Sequence, residues 1–272
     1  MPILAGMLKW HIPTLIEIDR RCISLMKEPR YDAIAELLNK EKSMTVEQLS
    51  RALYVSLPTI RRDLAEMQKH GLVIRVRGGA MSVDEEKLGI PVDLRNAIHS
   101  KEKQRLAQCA ASLVNNGDVL FIDASTTALH IIDHLTKYEN IRVVTNSIQA
   151  VALLRKYNIA TYCTGGVLIE HSLAFGGPYA QEMTDHFNID ICFFSSLGIN
   201  DKGWIVDYSE LETQMRKVVL SRASKRVFLC DQSKFLKNSV YNVVKLSDVD
   251  YIITDAVLPE NLDTGKAQCM VV

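Results

Sequence analysis

VSLPTIRRDLAEMQKHGLVIRVRGGA, residues 55–80, is the stretch from which the rest of the chain can be read. Ser56 is a good helix N-cap, because its hydroxyl accepts from a backbone N–H that has no partner inside the helix. Pro58 falls in the first turn, where a missing N–H costs little. Leu57, Ile60, Leu64 and Met67 recur at spacings of three and four, which makes one apolar face. Thr59, Arg61, Arg62 and Lys69 lie largely off that face. Gly71 stops the helix. Residues 72–76 and 80–83 then read as two short strands, turning at Gly78-Gly79 and carrying Arg75 and Arg77. A short helix with an exposed polar end fits the major groove of DNA. Taken alone, Arg61-Arg62 is also what a solvated helix face looks like.

Upstream, residues 31–39 (YDAIAELLN) place Ile34, Leu37 and Leu38 at helical spacing. Met44 is strand-like. Thr45 caps the next helix, with Gln48 at the capping-box position and Leu49 and Leu53 as core residues. Two helices joined by the Val55-Ser56 turn make a helix-turn-helix. The segment resembles the winged helix-turn-helix of the DeoR family of bacterial transcription regulators. Ser56, Thr59-Ile60-Arg61-Arg62-Asp63-Leu64, Gly71, Arg75 and Gly78-Gly79-Ala80 carry the match. The resemblance implies that Ser56, Thr59, Arg61, Arg62 and Lys69 serve the groove of double-stranded operator DNA. Arg75 and Arg77 would reach the backbone or minor groove from the wing. Many members have His where this chain has Arg77, and Leu57-Pro58 is less usual; both departures bear on which operator is read.

The chain has 272 residues, room for about two domains. It is 47% hydrophobic with a formal net charge of +0, so a sizeable core is expected and global disorder is not. A neutral total is compatible with DNA binding, because residues 26–80 carry more Lys and Arg than Asp and Glu. The six cysteines, Cys22, Cys109, Cys163, Cys192, Cys230 and Cys269, include no C-x-x-C pair and read as buried thiols in a reducing cytoplasm. No run of about 18 apolar residues suggests a membrane span. Residues 1–25 fit nothing downstream. Arg20-Arg21 could be encoded by AGGAGG, a ribosome-binding sequence, so Met26 is read as the start and the preceding residues as an extension. An intact mass that includes Met1 or Pro2 would oppose this, and the other reading is an N-terminal helix or arm.

Residues 26–83 are therefore taken as the DNA-binding domain, 84–91 as a charged linker before Pro91, and 92–272 as a second domain. In the latter, residues 100–115 form an amphipathic helix with Leu106, Cys109, Ala110 and Leu113 inward. Strands follow at 119–123, 141–145, 159–164, 189–194, 226–230 and 251–254. Helices are read at 126–135, 147–155 and 210–223. Such alternation implies an α/β fold: a mainly parallel sheet behind a small winged helix-turn-helix. The tail Met270-Val271-Val272 either packs or frays.

Five strand ends carry small, hydroxyl, amide, glycine or lysine residues: Ala124-Ser125-Thr126-Thr127, Asn146-Ser147, Gly165-Gly166, Leu197-Gly198 and Asp231-Gln232-Ser233-Lys234. Ligands of parallel sheets lie past these ends. Helix N-termini, hydroxyls and a lysine there favour an anion such as phosphate. Asp123, Glu212 and Asp231 would accept from sugar hydroxyls or orient donors. An ordinary helix cap is the plain alternative for Ser125.

This half resembles the DeoR-type sensor domain, whose fold is like that of ribose-5-phosphate isomerase. Asp123, Ser125, Thr126, Thr127, Thr145, Asn146, Ser147, Gly165, Gly166, Gly198, Glu212, Asp231 and Lys234 carry the match and are the implied effector-binding residues. Arg95 and Lys103 belong to its opening helix. The family usually has Gly where this chain has Ser125, and often Lys where it has Arg216. The resemblance implies a phosphorylated sugar as effector, no cofactor, and a homodimer or homotetramer acting as a repressor of a carbohydrate-utilisation operon. His130 and His134 stand four apart but lack the following Glu of a zincin, so no metal is expected. The competing reading is a sugar-phosphate isomerase fused to a DNA-binding domain, with Asp123, Glu212, Asp231 and Lys234 as its candidate groups. A DNA-binding module without a small-molecule effector is the third.

Overall fold

The computed structural model describes residues 29–41, 43–69, 72–76, 78–82, 92–97 and 99–272. The extension at 1–25, Gly71, Arg77 and the linker at 84–91 lie outside the described residues. The chain divides into two compact units after Val83.

The first unit packs three helices on a small sheet. Helix α1 (Pro29–Glu41) is followed by β1 (Ser43–Thr45), α2 (Val46–Leu53), α3 (Leu57–Lys69), β2 (Val73–Val76) and β3 (Gly79–Ser82). The strands run antiparallel in the order β1-β3-β2. Thr45 and Gln48 form the reciprocal capping box of α2, at 2.8 and 3.1 Å. Tyr54 closes α2 in the left-handed region. Ile34, Leu38, Val46, Leu49, Ile60, Leu64 and Met67 are buried in one core. Leu57 departs from its expected place on the inner face: it is 36% exposed, because it is the first residue of α3 and projects beyond that core. The wing turn is held by Val46 N–H donating to the Gly78 carbonyl at 2.9 Å.

The second unit is built on a seven-stranded, all-parallel sheet, in the order β15-β14-β12-β9-β4-β5-β6. Its strands are β4 (Val119–Ile122), β5 (Arg142–Thr145), β6 (Ala160–Cys163), β9 (Ile191–Phe194), β12 (Lys225–Cys230), β14 (Tyr251–Thr254) and β15 (Gln268–Val271). The central strands are apolar on both faces, as a sheet covered on both sides requires. Leu120, Ile122, Ile191 and Phe193 pack under α5 (Ser100–Ala111), α6 (Thr126–Leu129) and α7 (Ile148–Lys156). Phe121, Cys192, Phe194 and Phe228 pack on the other face, against α8 (Pro178–Met183) and α9 (Glu210–Arg222).

The structure differs from the sequence reading in several places. After α6 the chain tightens into a 3₁₀ helix, His130–Lys137, instead of continuing as an α-helix. Leu129, Ile132 and Leu135 are buried at a spacing of three, which is the 3₁₀ repeat. Helix α4 (Val92–Ala97), the hairpin β7 (Val167–Ile169) with β8 (Ala174–Gly176), and an antiparallel sheet of β10 (Gly198–Ile199), β11 (Trp204–Asp207) and β13 (Tyr241–Lys245) were not anticipated. The C-terminal tail pairs with β14. Cys192 and Cys230 are buried, but Cys163 and Cys269 are exposed because they sit on the two edge strands of the sheet.

Candidate functional site

In the first unit, Ser56 opens α3. Its hydroxyl accepts from Thr59 N–H at 3.4 Å and lies 2.8 Å from Thr59 Oγ1. Arg61, Arg62 and, on β2, Arg75 are exposed. Lys69 is the last residue of α3. Asp63 faces the opposite way: it is buried and held by Arg30 Nε and Nη2 at 2.6 and 3.1 Å. That ion pair fastens α3 to α1, so the exposed arginines sit on a helix of fixed orientation. Gly79 admits no side chain, since a Cβ there would lie 2.2 Å from the Met44 carbonyl oxygen.

In the second unit a cavity of about 90 Å³ opens at the carboxyl ends of β4, β9, β11 and β12. Ser125, Thr126, Glu212, Asp231 and Lys234 line it, as do Arg95, His99, Lys103, Ser196, Leu197, Asp207, Tyr208, Ser233 and Arg216. Ser125 caps α6 by accepting from Ala128 N–H at 3.2 Å. Lys103 Nζ donates to Thr126 Oγ1 at 3.0 Å and also bonds the Arg95 carbonyl. Lys234 Nζ donates to Ser195 Oγ at 3.0 Å and to the Ser196 carbonyl at 2.5 Å. Asp231 accepts Ser233 N–H at 3.1 Å and so shapes the 3₁₀ turn that presents Lys234.

Beneath the cavity, Arg216 is buried and donates to Asp123 at 2.9 Å, Asp207 at 2.7 Å and Glu212 at 3.0 Å. Burial opposes charge on Arg216, but the three carboxylates outweigh it and raise its pKa. Burial pushes the Asp123 carboxyl up despite Arg216. Burial also opposes ionisation of Glu212, yet His171, Arg216 and Arg95 together hold its carboxyl well below the usual range. Asp231 is likewise lowered, with Lys234 overcoming burial. Burial pushes the Tyr208 phenol up to about 12.

The other sequence-derived positions do not line the cavity. Asp123 lies below it: one carboxylate oxygen holds Ser125 and the other Arg216, so it orients donors. Thr127 is buried behind the loop. Thr145 donates to the Ile122 carbonyl at 2.7 Å and Ser147 caps α7, so both brace the strand ends. Asn146 ties that loop to β8 through the Phe175 carbonyl at 3.0 Å. Gly165 and Gly166 form the turn into β7. Gly198 lets the Lys234 turn pack against β10, where a Cβ would lie 2.4 Å from the Lys234 carbonyl oxygen.

Asp207 and Tyr208 went unnoticed because β11, which delivers them, was not read as a strand. Arg95 lies on α4 and was marked only by the family resemblance, while His99, at the corner with α5, was not singled out. His171 stands 3.4 Å from Glu212 at the site's edge. Among the described residues no cluster of His, Cys, Asp or Glu could hold a metal ion.

The DeoR C-terminal sensor domain model matches residues 98–256, and the DeoR-like helix-turn-helix domain model matches residues 30–86. The chain belongs to the DeoR family of transcriptional regulators. The L-fucose operon activator of Haemophilus influenzae is 32% identical over 234 residues, 86% of this chain and 94% of the relative. The glycerol-3-phosphate regulon repressor of Escherichia coli is 29% identical over 231 residues, 85% of this chain and 91% of the relative. A ribose-5-phosphate isomerase structure in complex with phospho-erythronic acid aligns with 50% of the chain and 54% of its own length, at 17% identity and a TM-score of 0.39. Family membership decides against the fused-isomerase reading: this is a DNA-binding regulator, not an enzyme. Asp123 and Glu212 each bond Arg216 through one carboxylate oxygen. No helix among the described residues is long and apolar enough to cross a membrane.

Proposed function

We propose that this regulator is a cytoplasmic repressor of a carbohydrate-utilisation operon. It binds double-stranded operator DNA as a homodimer or homotetramer, and a phosphorylated sugar in the cavity controls that binding. The observation that carries the reading is the meeting of Arg95, Lys103 and Lys234 with the α6 cap loop and the carboxylates of Glu212 and Asp231 in one cavity. The cationic groups and the helix N-terminus suit a phosphate. The carboxylates suit the hydroxyls of a sugar. The relative named for the glycerol-3-phosphate regulon supports a phosphorylated polyol class.

In the first unit, Ser56, Thr59, Arg61, Arg62 and Lys69 of α3 meet the major groove, and the wing arginines Arg75 and Arg77 meet phosphates. Symmetric operators call for symmetric assemblies. The effector acts by its difference in affinity for the DNA-competent and DNA-incompetent arrangements, and its binding releases the operator.

A pair of substitutions tests this assignment. Arg61→Ala should weaken operator binding by about 1–3 kcal/mol and leave sugar-phosphate affinity alone. Thr126→Val should lower sugar-phosphate affinity, read by calorimetry, and leave effector-free operator binding alone. Equal loss of both activities in either variant would contradict the division of labour.

A further inference from the structure

Past the end of β11 the chain turns through Tyr208 into α9. Asp207 fixes that corner. Its Oδ1 accepts Tyr208 N–H at 2.7 Å and Ser209 N–H at 3.1 Å, while its Oδ2 accepts from Arg216 at 2.7 Å. The Tyr208 backbone is therefore held, and its side chain lines the cavity. Among the described residues its phenol oxygen makes no hydrogen bond. Burial pushes the phenol up to about 12, so at neutral pH it is an uncharged hydroxyl that can both donate and accept.

His171 joins Tyr208 to an acceptor. Glu212 is buried, lines the same cavity and gives Oε2 to Arg216 at 3.0 Å. Its other oxygen, Oε1, is 3.4 Å from His171 Nε2. That nitrogen is buried and close enough to act on the charge of Glu212, but it is not aligned as a hydrogen bond. The His171 ring packs on the Tyr208 ring, with centroids 5.5 Å apart and planes tilted by 44°, an ordinary geometry for an aromatic pair. His171 thus touches both cavity groups from the 3₁₀ turn Glu170–Ser172, between β7 and β8. An uncharged hydroxyl and a carboxylate oxygen suit the hydroxyls of a polyol, whereas the carboxylate repels a phosphate.

We infer that Tyr208 and His171 select the effector by reading its hydroxyl-bearing end. The Tyr208 phenol and Glu212 Oε1 hydrogen-bond the sugar hydroxyls, and His171, a positioning residue, fixes both from the β7–β8 turn. The inference rests on the phosphosugar reading above and adds to it the groups that tell one phosphorylated polyol from another.

The test uses the full chain and calorimetry with glycerol 3-phosphate, ribose 5-phosphate and fructose 6-phosphate. Inorganic phosphate is measured by its competition with whichever of these binds. Tyr208→Phe keeps the ring against His171 and removes only the hydroxyl. It should weaken the bound sugar phosphate about 3- to 10-fold and leave inorganic phosphate within about twofold. His171→Ala should show the same split between the two ligands. His171→Gln, which returns an N–H near the place of Nε2, should recover part of the loss. The double variant Tyr208→Phe with His171→Ala should lose less than the product of the two single losses, because both act on the same hydroxyls. Sugar phosphate and inorganic phosphate weakened in equal proportion would mark a merely structural role and overturn the inference. Wild-type affinity for the sugar phosphate in Tyr208→Phe would overturn it alone and leave the phosphosugar reading standing. If the wild-type chain binds none of the sugar phosphates, or inorganic phosphate never competes, the phosphosugar reading falls and this inference with it. Should His171→Ala fail to fold by circular dichroism, His171→Gln carries that arm, with an equal loss of both ligands as the overturning result.

Discussion

Arg216 illustrates how a single side chain organises the second unit. It is buried, and each of its three nitrogens meets a different carboxylate, from the β4 end, the β11 end and α9. A buried charge pair adds little net stability compared with an apolar replacement of the whole group, but removing one partner alone is expensive. Arg216→Met strands three buried carboxylates. It should destabilise the second unit by about 3–5 kcal/mol, measured from urea unfolding. Arg216→Lys keeps the charge but cannot reach three partners at once, and should fall between the two. A Met variant as stable as the wild type would show that the network does not hold the cavity floor.

The same network fixes a pH dependence. The pKa of Glu212 is lowered from 4.5 to about 2, so its contribution to stability is present above pH 4.5 and is lost as pH falls toward 2. Asp231 is lowered too and acts in the same direction. Asp123 is raised, so its contribution has the opposite sign and offsets part of the loss as pH falls. Urea midpoints at about pH 5 and about pH 3 should therefore drop more for the wild type than for Glu212→Gln. Equal drops would mean that Glu212 is not held ionised by its neighbours. Sequence reading named Asp123, Glu212 and Asp231 as sugar acceptors or orienting groups. It could not tell which, because that depends on Arg216 approaching Asp123 from 93 residues away.

Among the elements, those with local signals were legible. The capping box at Thr45 and Gln48, the Ser56 cap and the apolar stripe of α3 follow from short-range spacing, and the structure has them, with Leu57 alone off the stripe. Short strands carry no such signal. The two residues of β10 and the four of β11 are too few to show a period, and β11 delivers Asp207 and the chain into Tyr208. The cavity wall built by those residues was therefore missed, while the walls at the ends of β4 and β12 were seen. The wing gives an element-scale prediction. Gly79→Ala would place a Cβ 2.2 Å from the Met44 carbonyl oxygen, so β3 must move away from β1. Overpacking of this kind costs about 1–3 kcal/mol. Operator affinity should fall, with faster amide exchange in β1 and β3 and no change in sugar-phosphate binding. Undisturbed exchange in those strands would show that the wing tolerates the methyl group.

For the whole molecule, the alternation of apolar strands and amphipathic helices was enough to expect a parallel sheet, and a parallel sheet places ligands at its carboxyl edge. The order of the strands and the added antiparallel sheet were not legible, because they depend on pairings between distant segments. The formal net charge of +0 also hid a division of labour, with exposed arginines on α3 and β2 in one unit and a mixed-charge cavity in the other. Coupling between sites in proteins is typically about 1–3 kcal/mol, or roughly 5- to 150-fold in affinity. The central claim is that occupancy of the cavity changes affinity for the operator. Its most direct test is fluorescence anisotropy of the full chain on the DNA upstream of its gene cluster, titrated with and without a sugar phosphate that calorimetry shows to bind. The account predicts an operator affinity weakened about 5-fold or more when the ligand is bound. An affinity unchanged at ligand saturation would contradict it.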